Sequence, residues 1–493
     1  MSTLPAHDIK DRRSPDFPTA ALPLLQDIQL RKNVRHATGI IQGKRARVVG
    51  EMPDWQALRE SGQRIRAHSL QYLDLYLERF EERCTLAGGH VHWARDAAEA
   101  NRIVVGLAQN STGRVIKIKS MTTEETALNR ALETAGITPV ETDLAELIVQ
   151  LGHDKPSHIV VPALHKNRHQ VRELFSRTMN LPDLGDRPED LAEAARLHLR
   201  RQFLSTPVAI SGANFLIAET GGVCIVESEG NGRMCLTLPR TLISIGGIDK
   251  VVPRFQDLEV MLQVLPRSAT GERMNPYNSV WTGVHPGDGP EEFHVVLLDN
   301  RRTEVLRDPE ARETLHCIRC GACQNACPVY RQTGGHAYGS VYAGPIGAIL
   351  TPQLAMMERG QSLPYASSLC GACYEVCPVK INIPEILIHL RGRVVTCRPK
   401  PLRTLHPEAI AMRTMQWIFS SSTRFSVAQR IGRIAQRPWI LQSGWIERLP
   451  SVLGGWTKTR DLRPLPAQSF REWFHARTTA SAVQPKSSEA RHE

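Results

Sequence analysis

The 493-residue sequence contains no apolar run of about 18 residues or more, so it offers no transmembrane helix. Its first residues, Met1 to Arg13, have no apolar stretch behind a basic one, which argues against a secretory leader and points to the cytoplasm. No C-x-x-C-H occurs, so covalent haem is excluded. A G-x-G-x-x-G turn is also missing: Gly230-Asn-Gly232 is followed at the required third position by Cys235. A flavin or nicotinamide held by a Rossmann turn is therefore not expected. Without a leader, the 11 cysteines read as metal ligands, catalytic thiols or buried thiols rather than disulfides.

Hydrophobic content of 41% and charged content of 23% suit a globular protein with a sizeable core, and the length suggests about three domains. The net charge of +11 is uneven. Arg391 to Glu493 carries 18 Lys+Arg against 6 Asp+Glu, which leaves the first 390 residues at −1. Such a basic segment meets an acidic partner, nucleic acid or anionic lipid, or is an ordinary basic helical tail.

Residues 1–50 read as a loose arm interrupted by Pro5, Pro15, Pro18 and Pro23. Residues 51–303 read as one α/β unit. A helix is expected from Trp55 to Cys84, where Leu70, Leu73, Leu77 and Phe80 recur at helical spacing before Gly88-Gly89. Further helices are expected over Thr123–Ala135 and Pro188–Phe203. Strands are expected over Ile103–Ala108, Val115–Ile118, His158–Val161, Phe215–Ala218, Gly222–Val226, Leu242–Ile245 and His294–Leu298. The alternation implies a sheet with parallel pairs. Residues 304–395 hold seven of the cysteines. Residues 396–480 form a basic helical region containing Trp417, Trp439, Trp445, Trp456 and Trp473, and 481–493 read as a disordered tail.

The cysteines carry the clearest chemistry. Cys317-Ile-Arg-Cys320-Gly-Ala-Cys323-Gln-Asn-Ala-Cys327-Pro328 is the C-x2-C-x2-C-x3-C-P run of bacterial ferredoxins. Three cysteines two residues apart wrap one cluster, and the fourth leaves on a new helix to ligate the other. Cys370-Gly-Ala-Cys373-Tyr-Glu-Val-Cys377-Pro378 repeats the ending. The repeat pairs Cys317, Cys320, Cys323 and Cys377 on one [4Fe-4S] cluster. It leaves Cys327, Cys370 and Cys373 for a second, with Ser367 where a fourth ligand belongs. That second cluster is either of the four-iron kind or a labile three-iron one, and Cys397 is a remote substitute ligand. Structural zinc also uses C-x2-C pairs, but not this run. Cys84, Cys224 and Cys235 read as buried small apolar residues. Two close clusters make an electron wire, the alternative being a purely structural role.

In the α/β unit, Glu219-Thr-Gly-Gly222 and Glu229-Gly-Asn231-Gly-Arg233 flank an expected strand. Their glycines permit close approach of a ligand, and Arg233 is a candidate partner for a carboxylate. Lys117, Lys119 and Ser120 follow another strand, where open α/β sheets bind ligands. The same strings also suit a plain hairpin.

Longer strings complete the pattern: Ile210 to Thr220, Glu229 to Cys235, Pro290 to Phe293, Gly334 to Ser340, Gly344 to Gly347 and Phe470 to Phe474. With the cysteines, they make the chain resemble the lactate utilization protein B family over most of its length. The resemblance implies an iron–sulfur, electron-transferring part of an L-lactate-oxidising complex. Its companions would be a cysteine-rich protein similar to heterodisulfide reductase subunits and a small protein sharing the N-terminal LUD domain. It also implies, for residues 60–300, a fold like ribose-5-phosphate isomerases and CoA transferases. Two other functions compete. One is a CoA-transferase-like enzyme with Glu219 or Glu229 as catalytic carboxylate and the clusters as regulators. The other is nucleic-acid binding by the Trp/Arg tail.

Overall fold

The computed structural model describes residues 16–355, 357–397, 407–440, 442–450, 454–457 and 460–482. Two compact units divide the chain, Met1–Val395 and Thr396–Glu493.

The first unit is built on a six-stranded parallel sheet in the order β1-β10-β7-β4-β2-β3. Its strands are β1 (Gly89–Ala94), β2 (Arg114–Lys117), β3 (Thr138–Glu141), β4 (Val208–Gly212), β7 (Thr241–Gly247) and β10 (Glu292–Leu298). Every residue of β4 and β7 is buried, and all but the first of β10. Strands covered on both faces are mostly apolar, and the buried hydroxyls of Ser211 on β4 and Ser244 on β7 bond each other at 2.7 Å. A smaller sheet follows the order β8-β5-β6-β9, formed by β5 (Phe215–Ile217), β6 (Gly222–Glu227), β8 (Val251–Val252) and β9 (Tyr277–Trp281).

Several local expectations are corrected. Ile103–Ala108 is not a strand: Ile103 to Leu107 lie in the helix Ala97–Leu107, where the Asp96 side chain accepts the Glu99 N–H and Ala100 and Val104 face the core. His158–Val161 is irregular, with the Val160 and Val161 N–H groups donating to His158 Nδ1. The helix expected from Trp55 breaks at Tyr72 into Trp55–Gln71 and Leu73–Leu86. Thr123–Ala135 is interrupted by Ala127 in the left-handed region, φ 54°.

The largest correction concerns the first 50 residues. From Phe17 they form two helices, Phe17–Gln26 and Ile28–Gly50, rather than a loose arm. Pro18 sits in the first turn, where a missing N–H costs nothing. Leu30 and Val34 join one core with Trp55, the cysteine loops and Leu387 and Leu390 of the helix Ile383–Thr396. Phe215, Ile217, Cys224 and Val252 of the small sheet join it too, so the cysteine module and the small sheet share one core.

The second unit is helical, with Pro407–Phe419, Ser422–Ala435 and Phe470–Ala482 as its longer helices. The first two bury no side chain. Arg424 stacks on Trp417 and Arg477 on Trp473. Of the tail expected to be disordered, 481–493, Ser481 and Ala482 close the helix Phe470–Ala482, and 483–493 lie outside the described residues, as do residues 1–15.

Candidate metal centre and an adjoining cavity

The cysteine module is an internal repeat in backbone as well as sequence. The short helices Ala322–Ala326 and Ala372–Val376 pack together, each ending at the last cysteine of its run. Each is preceded by a glycine in the left-handed region, Gly321 at φ 72° and Gly371 at φ 83°. The residue two before each glycine is left-handed as well, Arg319 at φ 61° and Leu369 at φ 54°. A non-glycine residue in that region is uncommon, so the repeated pair specifies the loop.

Cys317, Cys320, Cys323 and Cys377 line one small cavity, walled by Ile318, Ile346, Val379, Ile381 and Ile383. All four are buried. Backbone N–H groups point at the sulfurs: Arg319 donates to Cys317 Sγ at 3.4 Å and Ile381 to Cys377 Sγ at 3.3 Å. Burial pushes the Cys377 thiol up to about 11, with Cys317 beside it adding to the rise. Four thiols converging in an apolar cavity repel one another as thiolates, and bound iron supplies the compensating charge. The donor set therefore fits a cluster. Cys327 and Cys373 are buried and Cys370 is exposed. The Cys327 sulfur accepts the Tyr330 N–H at 3.5 Å. Burial, then the Cys327 sulfur, pushes Cys373 up to about 12. Ser367 is half-buried at the head of this second loop. Cys397 is exposed just past the helix Ile383–Thr396. Cys84, Cys224 and Cys235 are fully buried.

The N-terminal helices hold the second cysteine helix from outside. Arg59 donates from Nε to the Cys377 carbonyl at 2.9 Å and from a terminal nitrogen to that of Tyr374 at 3.0 Å; Arg45 donates to that of Val376 at 3.0 Å. Two guanidinium groups thus cap its carboxyl end, the end that favours positive charge.

A buried ion network joins the module to the sheet. Arg302 pairs with Glu125 at 2.8 Å and Asp249 at 2.5 Å. Arg319, from the first cysteine loop, reaches Asp249 at 3.4 Å and stacks on Tyr342. Burial alone would raise the Asp249 pKa, but Arg302 and Arg319 hold it well below the usual carboxylate range.

A larger cavity, about 390 Å³, opens at the carboxyl ends of β2 and β4 and reaches Arg319. Of the residues singled out in sequence, Lys119, Ser120, Glu229 and Asn231 line it. Lys117, Glu219 and Arg233 do not. Lys117 is buried, paired with Glu141 at 2.8 Å and Glu124 at 3.2 Å. Glu219 is exposed and accepts the Phe255 N–H. Arg233 lies over the Tyr277 ring. The Glu229 carboxyl accepts the Leu144 N–H at 3.0 Å. Although the residue is exposed as a whole, loss of solvent around that carboxyl, then Asp143 beside it, pushes its pKa up to about 7. Asn231 donates to Thr142 Oγ1 at 3.1 Å. Sequence reasoning missed Lys250 and Arg319, which also line the cavity. Burial, then Arg319, pushes Lys250 down to about 7. Lys250 and Arg319 are far from Lys119 in sequence, so no local pattern announces that they share its cavity.

The LUD domain family matches residues 77–298, and the 4Fe-4S dicluster domain family matches residues 313–381. The chain is 42% identical to "Lactate utilization protein B" of Oceanobacillus iheyensis, over 91% of this chain and 93% of that one. It is 44% identical to the protein of the same name from Exiguobacterium sp., over 92% and 96% of the two chains. It is also 42% identical to "Uncharacterized electron transport protein YkgF" of Escherichia coli, over 93% and 96%. With this identity over nearly the whole length of both chains, and the two domain families in the same order, the chain belongs to the lactate utilization protein B family.

Proposed function

We propose that this protein is the iron–sulfur electron-transfer subunit of a multi-protein system that oxidises L-lactate to pyruvate. The observation that carries the reading is the repeated cysteine loop, with one set of four thiols closed into the interior and the other set reaching the surface at Cys370. Cys317, Cys320, Cys323 and Cys377 hold one [4Fe-4S] cluster, and Cys327, Cys370 and Cys373 the second. When bound, such clusters supply one-electron transfer, and two of them match the two electrons released when a hydroxyl becomes a ketone. The chain's own residues hold the sulfurs, exclude water from the inner set with Ile318, Ile346 and Ile381, and bring the outer set to the surface at Cys370 alone. Relatives named for lactate utilization and for electron transport support the same reading.

The partners under this reading are a cysteine-rich subunit similar to heterodisulfide reductases and a small LUD-domain protein, in the cytoplasm. Among the described residues no helix is long and apolar enough to cross a membrane. The parallel sheet supports a ribose-5-phosphate isomerase or CoA-transferase type of fold for the N-terminal domain. A CoA-transferase-like activity is a second reading, favoured by Glu229 at the cavity edge.

The test is reduction of the anaerobically purified protein. It should be brown, carry iron and sulfide approaching two clusters, and bleach with dithionite. L-lactate should bleach it only when the two companions are present. A colourless, zinc-loaded protein after anaerobic reconstitution overturns the reading. Loss of turnover in Glu229→Gln with unchanged cluster spectra would move the assignment to the second one.

A further inference from the structure

The cavity at the ends of β2 and β4 contains polar groups that the protein itself leaves unanswered. Lys250, in the turn between β7 and β8, is only 6% exposed and lines the cavity. The carboxylate whose charge it feels, Asp249, is already engaged by Arg302 and Arg319. Lys119 Nζ is buried without a hydrogen bond, and its nearest paired carboxylate, Glu146, stands 3.9 Å away. A buried ammonium is stable only when paired, so two such groups on one cavity call for an anion from outside. Arg319 differs, because Asp249, the Cys317 carbonyl and the Tyr342 ring already engage it.

The same cavity also offers acceptors. Thr270 Oγ1, Glu272 Oε2 and Asn275 Oδ1 line it and are buried without a donor. A ligand that satisfies both sets carries an anionic group for the lysines and an O–H for the acceptors. We propose that this cavity binds a small hydroxy acid, its carboxylate held by Lys250 and Lys119 and its hydroxyl donating to the Thr270–Asn275 segment. The bound acid would lie beside Arg319, one residue from Cys320, next to the first cysteine set. The site rests on the cavity, whereas the choice of L-lactate as the acid rests on the electron-transfer reading above.

The test is calorimetric titration of the anaerobic full chain, clusters in place, with L-lactate, pyruvate and inorganic phosphate in separate arms. L-lactate should bind. Lys250→Met and Lys119→Met should each weaken binding about tenfold or more, the worth of a charge-assisted hydrogen bond. Ser228→Trp, at an exposed position on the cavity rim, should block binding without removing a buried charge. Iron content should stay unchanged in Lys119→Met and Ser228→Trp, and these two decide the matter where Lys250→Met loses its iron. No binding of either acid to iron-replete protein overturns the proposal, as does binding indifferent to Lys119→Met and Ser228→Trp. Phosphate binding more tightly than both acids also overturns it, since the site is then for a phosphate group. Cluster reduction by lactate through the companions is read separately and can succeed while this site stays empty, so the two failures are distinct.

Discussion

Ser367 occupies in the second cysteine loop the place that Cys317 occupies in the first. The Arg319 N–H donates to Cys317 Sγ at 3.4 Å, and the Leu369 N–H donates to Ser367 Oγ at 3.1 Å, in each case from two residues on. Both donors are left-handed, and both precede a cysteine followed by a left-handed glycine. The loops therefore match in backbone, and only the fourth donor atom differs. What surrounds them also differs. A Cβ on Gly321 would meet Val160 at 3.2 Å, whereas one on Gly371 would meet nothing. The first loop is packed against the α/β domain and the second is open.

A hydroxyl is a harder and less acidic donor than a thiol, so under the proposed assignment the second site has three good ligands, Cys327, Cys370 and Cys373. The expected outcome is one cluster distinctly more oxygen-labile than the other. Mild air oxidation should give a three-iron electron paramagnetic resonance signal of up to one per chain. Ser367→Cys should abolish that signal and raise iron retention. Two equally robust four-iron clusters in the wild type, one of them lost in Cys397→Ala, would show the fourth ligand to be elsewhere.

The convergence of Cys317, Cys320, Cys323 and Cys377 was legible because the repeated spacing fixes where each loop places its cysteines. The parallel sheet was legible in part: β2, β7 and β10 were expected from their apolar runs, whereas β1, β3 and β4 were not, β1 carrying His90 and His92 and β3 carrying Pro139 and Glu141. The helix Ala97–Leu107 was misread because Ile103-Val-Val105 is β-branched; the Asp96 cap was the contrary signal. The helix Ile28–Gly50 was missed because it buries only Leu30, Val34, Thr38 and Val48 over 23 residues. A stripe that thin among so many arginines shows little periodicity. The cavity was half legible: Lys119, Glu229 and Asn231 lie in strings that stood out, while Lys250 joins them only through the fold.

Arg59 is buried, and its contacts with the Cys377 and Tyr374 carbonyls link the N-terminal helices to the cysteine module. Removing it strands two backbone acceptors. Arg59→Ala should cost about 1.5–3 kcal/mol, the range for hydrogen bonds to a charged group. The readout is faster loss of iron to a chelator under anaerobic conditions, with Arg64→Ala, on an exposed face of the same helix, as control. Equal rates in the two variants would deny Arg59 this role.

Glu146 gives a dependence on pH. Burial, then Glu124 and Glu141 nearby, raises its carboxyl to about 8 against the opposing pull of Lys119. The folded state therefore holds a proton that the unfolded state releases at an ordinary carboxyl pKa. Between these two values the native state binds more protons, so this group's contribution to stability falls as pH rises from about 4.5 to about 8. Glu146→Gln should remove that slope. Thermal midpoints of both proteins from pH 5 to 8 should diverge with increasing pH in favour of the variant, by an amount on the order of a few kcal/mol. A constant difference across the range would mean that Glu146 titrates alike in both states.

The basic C-terminal unit should be dispensable for the clusters and needed for assembly. Among the described residues, the three hydrophobic cores are drawn from the chain up to Val394, so the first unit closes its interior without residues 396–493. The segment from Arg391 onward carries the whole charge excess, and its helices Pro407–Phe419 and Ser422–Ala435 keep Trp417, Phe419, Ile431 and Ile434 exposed. Exposed apolar groups ringed by cations suit docking onto an acidic companion. A chain ending at Cys397 should keep its iron and sulfide while losing association with the companion proteins. The full-length association should weaken with rising salt, because its charges lie at the surface. Loss of both clusters on truncation would instead make the segment a structural lid and its charge incidental.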